Sequence, residues 1–363
     1  MTTLSLQRGR SPLTAFAFVS YAWVASWFCA DYTLAQTFSA LGMRLANLSD
    51  DRATQDACQN ATLSTPDNRQ MAGIATSAAL LQSSQVEHWF APLASASAQL
   101  HQVDALAEQQ GQWLIQSECR LLSNQLALLG SPPLREQQER CQQHYRQMLE
   151  QELPHQAERL RDSSLRLIEQ LRGQQVFTAA SHYPHGWQAV STIIGALILN
   201  QQHLWPGLYR WEVPLEHELA GYYGVSEALF CTALMRLIQA QQQHSLGRRR
   251  RLEVEQIESR LELWAQHCPE NFNCQRFLLQ AEKSRVLDQD PAPLFEQAIR
   301  AAELQHSQFH TALCYERYAE FLHAGGQHRL ARFCLDEACA RYQHWGASEK
   351  VKLLAPQQAL LAK

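Results

Sequence analysis

The chain has 363 residues, enough for two ordinary domains or one long solenoid, and 46% are hydrophobic, which supports an extended core. Charged residues make up only 18% and the net charge is −4, so composition points to neither nucleic acid nor an acidic membrane surface as partner. Glycine is scarce, 15 in 363 or about 4% against the ~7% usual in proteins, which argues against glycine-turned all-β and Rossmann-type folds.

Taken in order, the chain reads as a train of helices. Residues 11–29 and 32–48 predict a first antiparallel pair. Ser11 to Ala30 carries no charge and follows Arg8 and Arg10, so its length and flanks also fit a signal peptide or a single membrane anchor. Ser11, Thr14, Ser20 and Ser26 interrupt it, and the amphipathic run Leu34, Phe38, Leu41, Leu45, Leu48 follows; together they favour a buried first helix. Residues 50–70 are polar, contain Thr65-Pro66-Asp67-Asn68, and read as a loop or an eroded helix. Residues 70–85 are weakly helical, and 87–110 and 112–129 form a pair broken at Gly111. Ser131-Pro132-Pro133 opens a polar helix to about residue 152, and Pro154 opens another to 171.

Residues 174–186, with His182-Tyr183-Pro184-His185-Gly186 at the tip, interrupt the train. They separate an N-terminal helical-repeat segment, 1–173, from a C-terminal TPR-like one, 187–363, in one continuous solenoid. Beyond them come an apolar helix at 188–202, a turn at Trp205-Pro206-Gly207, a short helix at 213–223, an amphipathic helix at 225–243 and a further helix at 252–267. Residues 291–358 then carry two helical hairpins in one register. Tyr315, Tyr318, Ala319 and Leu322 share a face of one helix, and Ala331, Leu335 and Ala338 share a face of the next. Forty residues before Leu335 and Ala338 stand Phe295 and Ala298. Large residues, a small one at the crossing, then small–large–small on the partner is tetratricopeptide spacing. Ala324-Gly325-Gly326 supplies the reversal. A single hairpin cannot bury its apolar face alone, so the expected fold is all-α: a TPR-like α-solenoid of stacked antiparallel hairpins. Tyr342 and Trp345 before Gly346 predict an aromatic cap on the last hairpin.

No motif for catalysis is present. The P-loop, the kinase signatures, H-E-x-x-H and G-x-S-x-G are all missing from the sequence. The fifteen histidines are scattered, and the ten cysteines have no zinc-type spacing, so the cysteines read as small buried hydrophobes in a reducing cytoplasm. Arg248 to Arg251 is the densest charge cluster. Glu253, Glu255 and Glu258 follow at ion-pairing distance along a helix, so it reads as a solvated helix start. The sequence therefore offers no catalytic, cofactor-binding or metal residue.

Several stretches resemble the helical-repeat region of bacterial multidomain signalling proteins. In those, a serine/threonine-kinase-like domain and an AAA/STAND ATPase precede the repeats, and a GAF domain with a sensor histidine kinase or cyclase output follows. The resemblance rests on Leu4 to Ala17, on Asp31-Tyr32 with Leu41-Gly42-Met43-Arg44-Leu45, and on His88-Trp89. Towards the C-terminus it rests on Trp264 to Phe272, on Leu278-Leu279 with Ala281-Glu282, and on Ala331 to Val351. Ala30 stands where the family has glycine, and residues 50–70 have no clear counterpart. The resemblance implies a non-catalytic scaffold or sensor module that binds a protein or ligand and relays conformation to ATPase or kinase domains. Those domains would lie outside the chain, which makes it a split gene, a remnant or an isolated module. A subunit whose ATPase site a partner completes, and an exported protein anchored by residues 11–30, are the alternatives.

Overall fold

The structure, a computed structural model, describes residues 13–59, 66–130, 132–180 and 182–361. Helix accounts for 82%, and no strand occurs among the described residues. Packing divides the chain into two compact units. One is Met1–Ser123 with Gly221–Tyr223; the other is Asn124–Ala220 with Gly224–Lys363.

In the first unit, α1 (Thr14–Phe28), α2 (Tyr32–Gln59) and α3 (Pro66–Val86) pack in all three pairings. Small residues form the centre of their interface. Ala15, Ala46 and Ala79 form one buried cluster and Ala22, Ala25 and Ala35 another. Small side chains let backbones approach closely. A Cβ on Gly42 of α2 would lie 2.5 Å from Val19 Cγ2 and 3.0 Å from the Ala15 carbonyl oxygen. One face of the uncharged stretch is thus inside the fold, with Phe18, Val19, Ala22 and Ala25 buried, while Tyr21, Val24 and Phe28 are exposed. No helix among the described residues is long and apolar enough to cross a membrane.

In the polar region read as a loop or an eroded helix, the described residues are helical. Helix continues to Gln59 and resumes at Pro66; residues 60–65 lie outside the described residues. Between Asp50 and Gln59 there is neither glycine nor proline, so nothing in the backbone stops α2, whatever the polarity of its side chains. A 3₁₀ turn (Glu87–Trp89), α4 (Leu93–Gln109) and α5 (Trp113–Leu129) follow. The division between the units falls inside α5.

The second unit continues with α6 (Leu134–Glu150) and α7 (Pro154–Leu160), a π turn (Arg161–Leu165), and α8 (Arg166–Leu171). The π turn splits what the sequence presents as one helix. After the helix-free segment, Glu218 fixes the start of α9 (Gly186–Ile198): one carboxylate oxygen accepts the Gly186 N–H at 2.7 Å and the other accepts the Tyr183 hydroxyl at 2.7 Å. A carboxylate on the first free N–H groups of a helix is a favourable cap. Next come α10 (Trp205–Leu208), a 3₁₀ turn (Tyr209–Trp211), α11 (Glu212–Glu218) and α12 (Tyr223–Gln243). Trp205 and Trp211 are buried core.

α13 (Arg248–His267), α14 (Pro269–Val286), α15 (Ala292–Leu304), α16 (Gln308–Ala324), α17 (His328–Trp345) and α18 (Ser348–Leu361) each pack on the next. Ala319, Leu322, Ala331, Leu335 and Ala338 are buried between α16 and α17, while Tyr318 is half-buried and stacks on Phe295 at 5.1 Å. Trp345 is 1% exposed and stacks on Phe309, with ring centroids 5.8 Å apart. Gly346, at φ +96°, ends α17 in the left-handed conformation, and α18 then returns over α17 and buries Leu354.

Low glycine content has a counterpart in the helix ends. Ala30, Glu152, Asn200, His244, Asp288 and His306 all take positive φ without being glycine. After Glu152, Asn200, His244 and Asp288 the next N–H reaches back to a carbonyl five residues earlier, at 2.8 to 3.0 Å. This is the closing bond usually built around glycine.

Candidate ligand-binding groove

Two hollows of about 790 and 540 Å³ meet at Gln241, His244 and Arg285 and form one groove in the second unit. The C-terminal ends of α12 and α14 supply one side. Ala319, Glu320 and His323 of α16 supply the floor, and Leu335 of α17 with Leu360 and Leu361 of α18 close the far end. Size and mixed apolar and polar lining are those of small-molecule and peptide sites. A third hollow of about 570 Å³, lined by Glu303, His306, Gln308, Thr311, Arg341 and His344, lacks the apolar wall.

Beneath the groove lies a cluster of buried charge. Glu282 is 0% exposed and Arg317 5%. Arg317 Nε donates to Glu282 Oε1 at 2.6 Å, Arg285 Nη1 donates to both Glu282 oxygens at 3.2 and 3.0 Å, and Gln241 Nε2 also donates to Glu282. Arg317 Nη1 donates to Glu320 Oε2 at 2.5 Å. Burial pushes the Glu282 carboxyl upward, but the Arg317 and Arg285 charges, with their hydrogen bonds, outweigh it and hold it below the ordinary range. Glu320 goes the other way. Dehydration in the groove lifts its carboxyl, with Arg317 opposing. Deeper still, Glu316 accepts from Tyr342 Oη at 2.9 Å and from Lys350 Nζ at 2.6 Å, which ties α18 to α16.

A second buried network joins α12, α14 and α16. His310 Nε2 lies 2.9 Å from Glu227 Oε1, with side chains 2% and 0% exposed, and Gln275 Nε2 donates to Glu227 Oε2 at 3.2 Å. Ser307 Oγ is 2.8 Å from both the Leu129 carbonyl oxygen and His310 Nδ1. The carbonyl can only accept, so the serine proton goes to Leu129 and Nδ1–H donates to Ser307. Burial, the largest influence, lowers the imidazole; the Glu227 charge and hydrogen bond overcome it and raise it above the ordinary histidine value. Hydroxyl, imidazole and carboxylate in a row are the parts of a nucleophile and base. Here the serine also caps α16 by accepting the His310 N–H at 3.3 Å, it is buried, and its proton is committed to Leu129. The row acts as a tie between helices.

The basic cluster opens α13 as expected: Arg249 pairs with Glu253 at 3.0 Å and Arg251 with Glu255 at 2.9 Å. Of the described cysteines, Cys29 is exposed and the rest are buried. Ala319 and Leu335 stand out in the sequence as packing positions, but none of the groove's charged-cluster residues Gln241, Glu282, Arg285, Arg317 and Glu320 is marked there as a site residue. The available signal was Glu282, directly after Leu278-Leu279-x-Ala281 on the buried side of α14, and Arg317, three residues past buried Cys314. A charge at such a position is expensive to bury unless a partner waits for it.

Comparison with family models, curated proteins and solved structures finds no match for this chain.

Proposed function

We propose that this chain is a non-catalytic TPR-like α-solenoid segment of bacterial signal transduction. It binds a protein or ligand in the groove and passes the resulting change of shape to ATPase or kinase domains. The observation that carries the reading is the groove itself. Its walls come from helices up to about 120 residues apart in the chain, α12 to α18, so an occupant would bear on several layers at once. Sequential packing of α13 to α18 supports the stacked-hairpin arrangement, and the α16–α17 hairpin supports its tetratricopeptide register.

The test is to pan a displayed library of short peptides against the purified chain and map any binder by hydrogen exchange. Binders that protect α12, α14, α16 and α18 support the reading. Protection confined elsewhere, or measurable ATP affinity in the isolated chain, would sink it.

A further inference from the structure

The charges of the groove are unevenly committed. Arg285 uses Nη1 for both oxygens of Glu282 and its guanidinium lies over the Phe321 ring, while among the described residues Nη2 and Nε make no hydrogen bond. Its side chain is 12% exposed and lines both hollows. Glu320 gives Oε2 to Arg317 and, among the described residues, leaves Oε1 without a partner; its side chain is 37% exposed and it lines the smaller hollow. Two side chains of opposite charge, each with hydrogen-bonding capacity to spare, thus line one hollow of about 540 Å³ with Ala319, Leu335 and Leu360.

Arg285, Arg317, Glu282 and Glu320 sum to zero charge. A ligand with net charge of either sign would lose hydration there without net attraction. A ligand carrying both signs would meet both side chains, and each charge-assisted hydrogen bond is among the stronger kinds. Dehydration lifts the Glu320 carboxyl, and a cation beside it would relieve that cost.

We propose that this end of the groove binds a small zwitterion of the α-amino-acid class, its carboxylate on Arg285, its ammonium on Glu320 and an apolar side chain against Leu335 and Leu360. The proposal rests on the scaffold reading and names its ligand. A free amino acid and a dipeptide share this chemistry, and the volume admits either.

Calorimetric titration and thermal melts of the purified chain with L-leucine, L-methionine and Leu-Leu test it, with N-acetyl-leucine and leucinamide as charge-deleted controls. Saturable binding of leucine or of Leu-Leu is expected, and which of them binds tells amino acid from dipeptide. Each control should bind at least about tenfold more weakly. Glu320→Gln should weaken binding by a similar factor; should that variant fail to fold, the two controls on the unaltered chain decide. Absence of saturable binding up to about 10 mM, far weaker than a useful site, or equal binding of the controls, overturns the proposal. If zwitterions fail while a displayed peptide still protects the groove, the ligand class falls and the scaffold reading stands.

Discussion

Between α1 and α3 the buried residues include Ala15, Ala22, Ala25, Ala35, Ala46 and Ala79 beside Phe18 and Val19, with a Ser39–Ser83 hydroxyl contact at 3.1 Å; between α12 and α18 they include Glu227, Glu282, Arg317, Glu316 and Lys350. The first region fixes its helices chiefly by close packing, since an apolar surface has shape but no direction. The second fixes them by directed bonds, each of which fails if a helix slides or turns. Buried ion pairs often add little net stability over apolar packing, while breaking one costs a great deal. Their value here is to set the relative registers of helices that border a groove.

The largest expected effect tests the directed region. Arg317→Ala leaves Glu282 dehydrated with Arg285 as its remaining cation, and should cost about 3–5 kcal/mol. Denaturant unfolding, with hydrogen exchange of α14 and α16 to localise the loss, measures it. A cost below about 1 kcal/mol would mean that the cluster is far better hydrated than its burial implies. Trp345→Ala should cost a similar amount, about 3–5 kcal/mol, because the ring is fully buried on Phe309. Ready acrylamide quenching of a variant keeping only this tryptophan would contradict that burial.

Overpacking tests the close-approach mode in both regions. Gly42→Ala places a Cβ 2.5 Å from Val19, and Ala338→Leu enlarges a residue buried between α16 and α17; each should cost about 1–3 kcal/mol. If Gly42→Ala melts like the parent, α1 and α2 are not held by closeness. A smaller effect concerns pH. The imidazole of His310, faced by Glu227, Ser307 and Cys274, titrates above its unfolded value of about 6.5. Its stabilisation is therefore complete below about pH 6.5 and fades as pH rises through the folded value. Melting temperature should fall over that interval in the parent and stay flatter in His310→Gln; parallel profiles would refute the ion pair. Last, native alkylation should label Cys29 and spare Cys231, Cys274 and Cys314, which are buried. Peptide mapping reads this directly.

Much of the helical train is legible in the sequence, because apolar spacing reports burial. Ala319, Leu322, Ala331, Leu335 and Ala338 lie where their period puts them. The tail of α2 is not legible by the same means, since Asp50, Asp51 and Arg52 give no apolar stripe and only the absence of breakers betrays the helix. α18 is missed for the opposite reason: Leu353 and Leu360 remain exposed, and buried Lys350 looks like a surface residue until Glu316 is seen beneath it. The groove is harder still. Gln241, Glu282, Arg317 and Glu320 come from three helices, and no local pattern announces that they meet.

One consequence of the helix ends concerns heat tolerance. A residue other than glycine at positive φ costs about 1–2 kcal/mol, so the chain holds a stock of unrealised stability at these joints. Glycine at Glu152 or Asn200 would release some of it and leave the groove untouched. At His244 and Asp288 the same relaxation would remove a side chain from the groove wall. At Glu152 and Asn200 thermal hardening therefore leaves the groove lining as it is, whereas at His244 and Asp288 every degree gained would be taken from the groove wall.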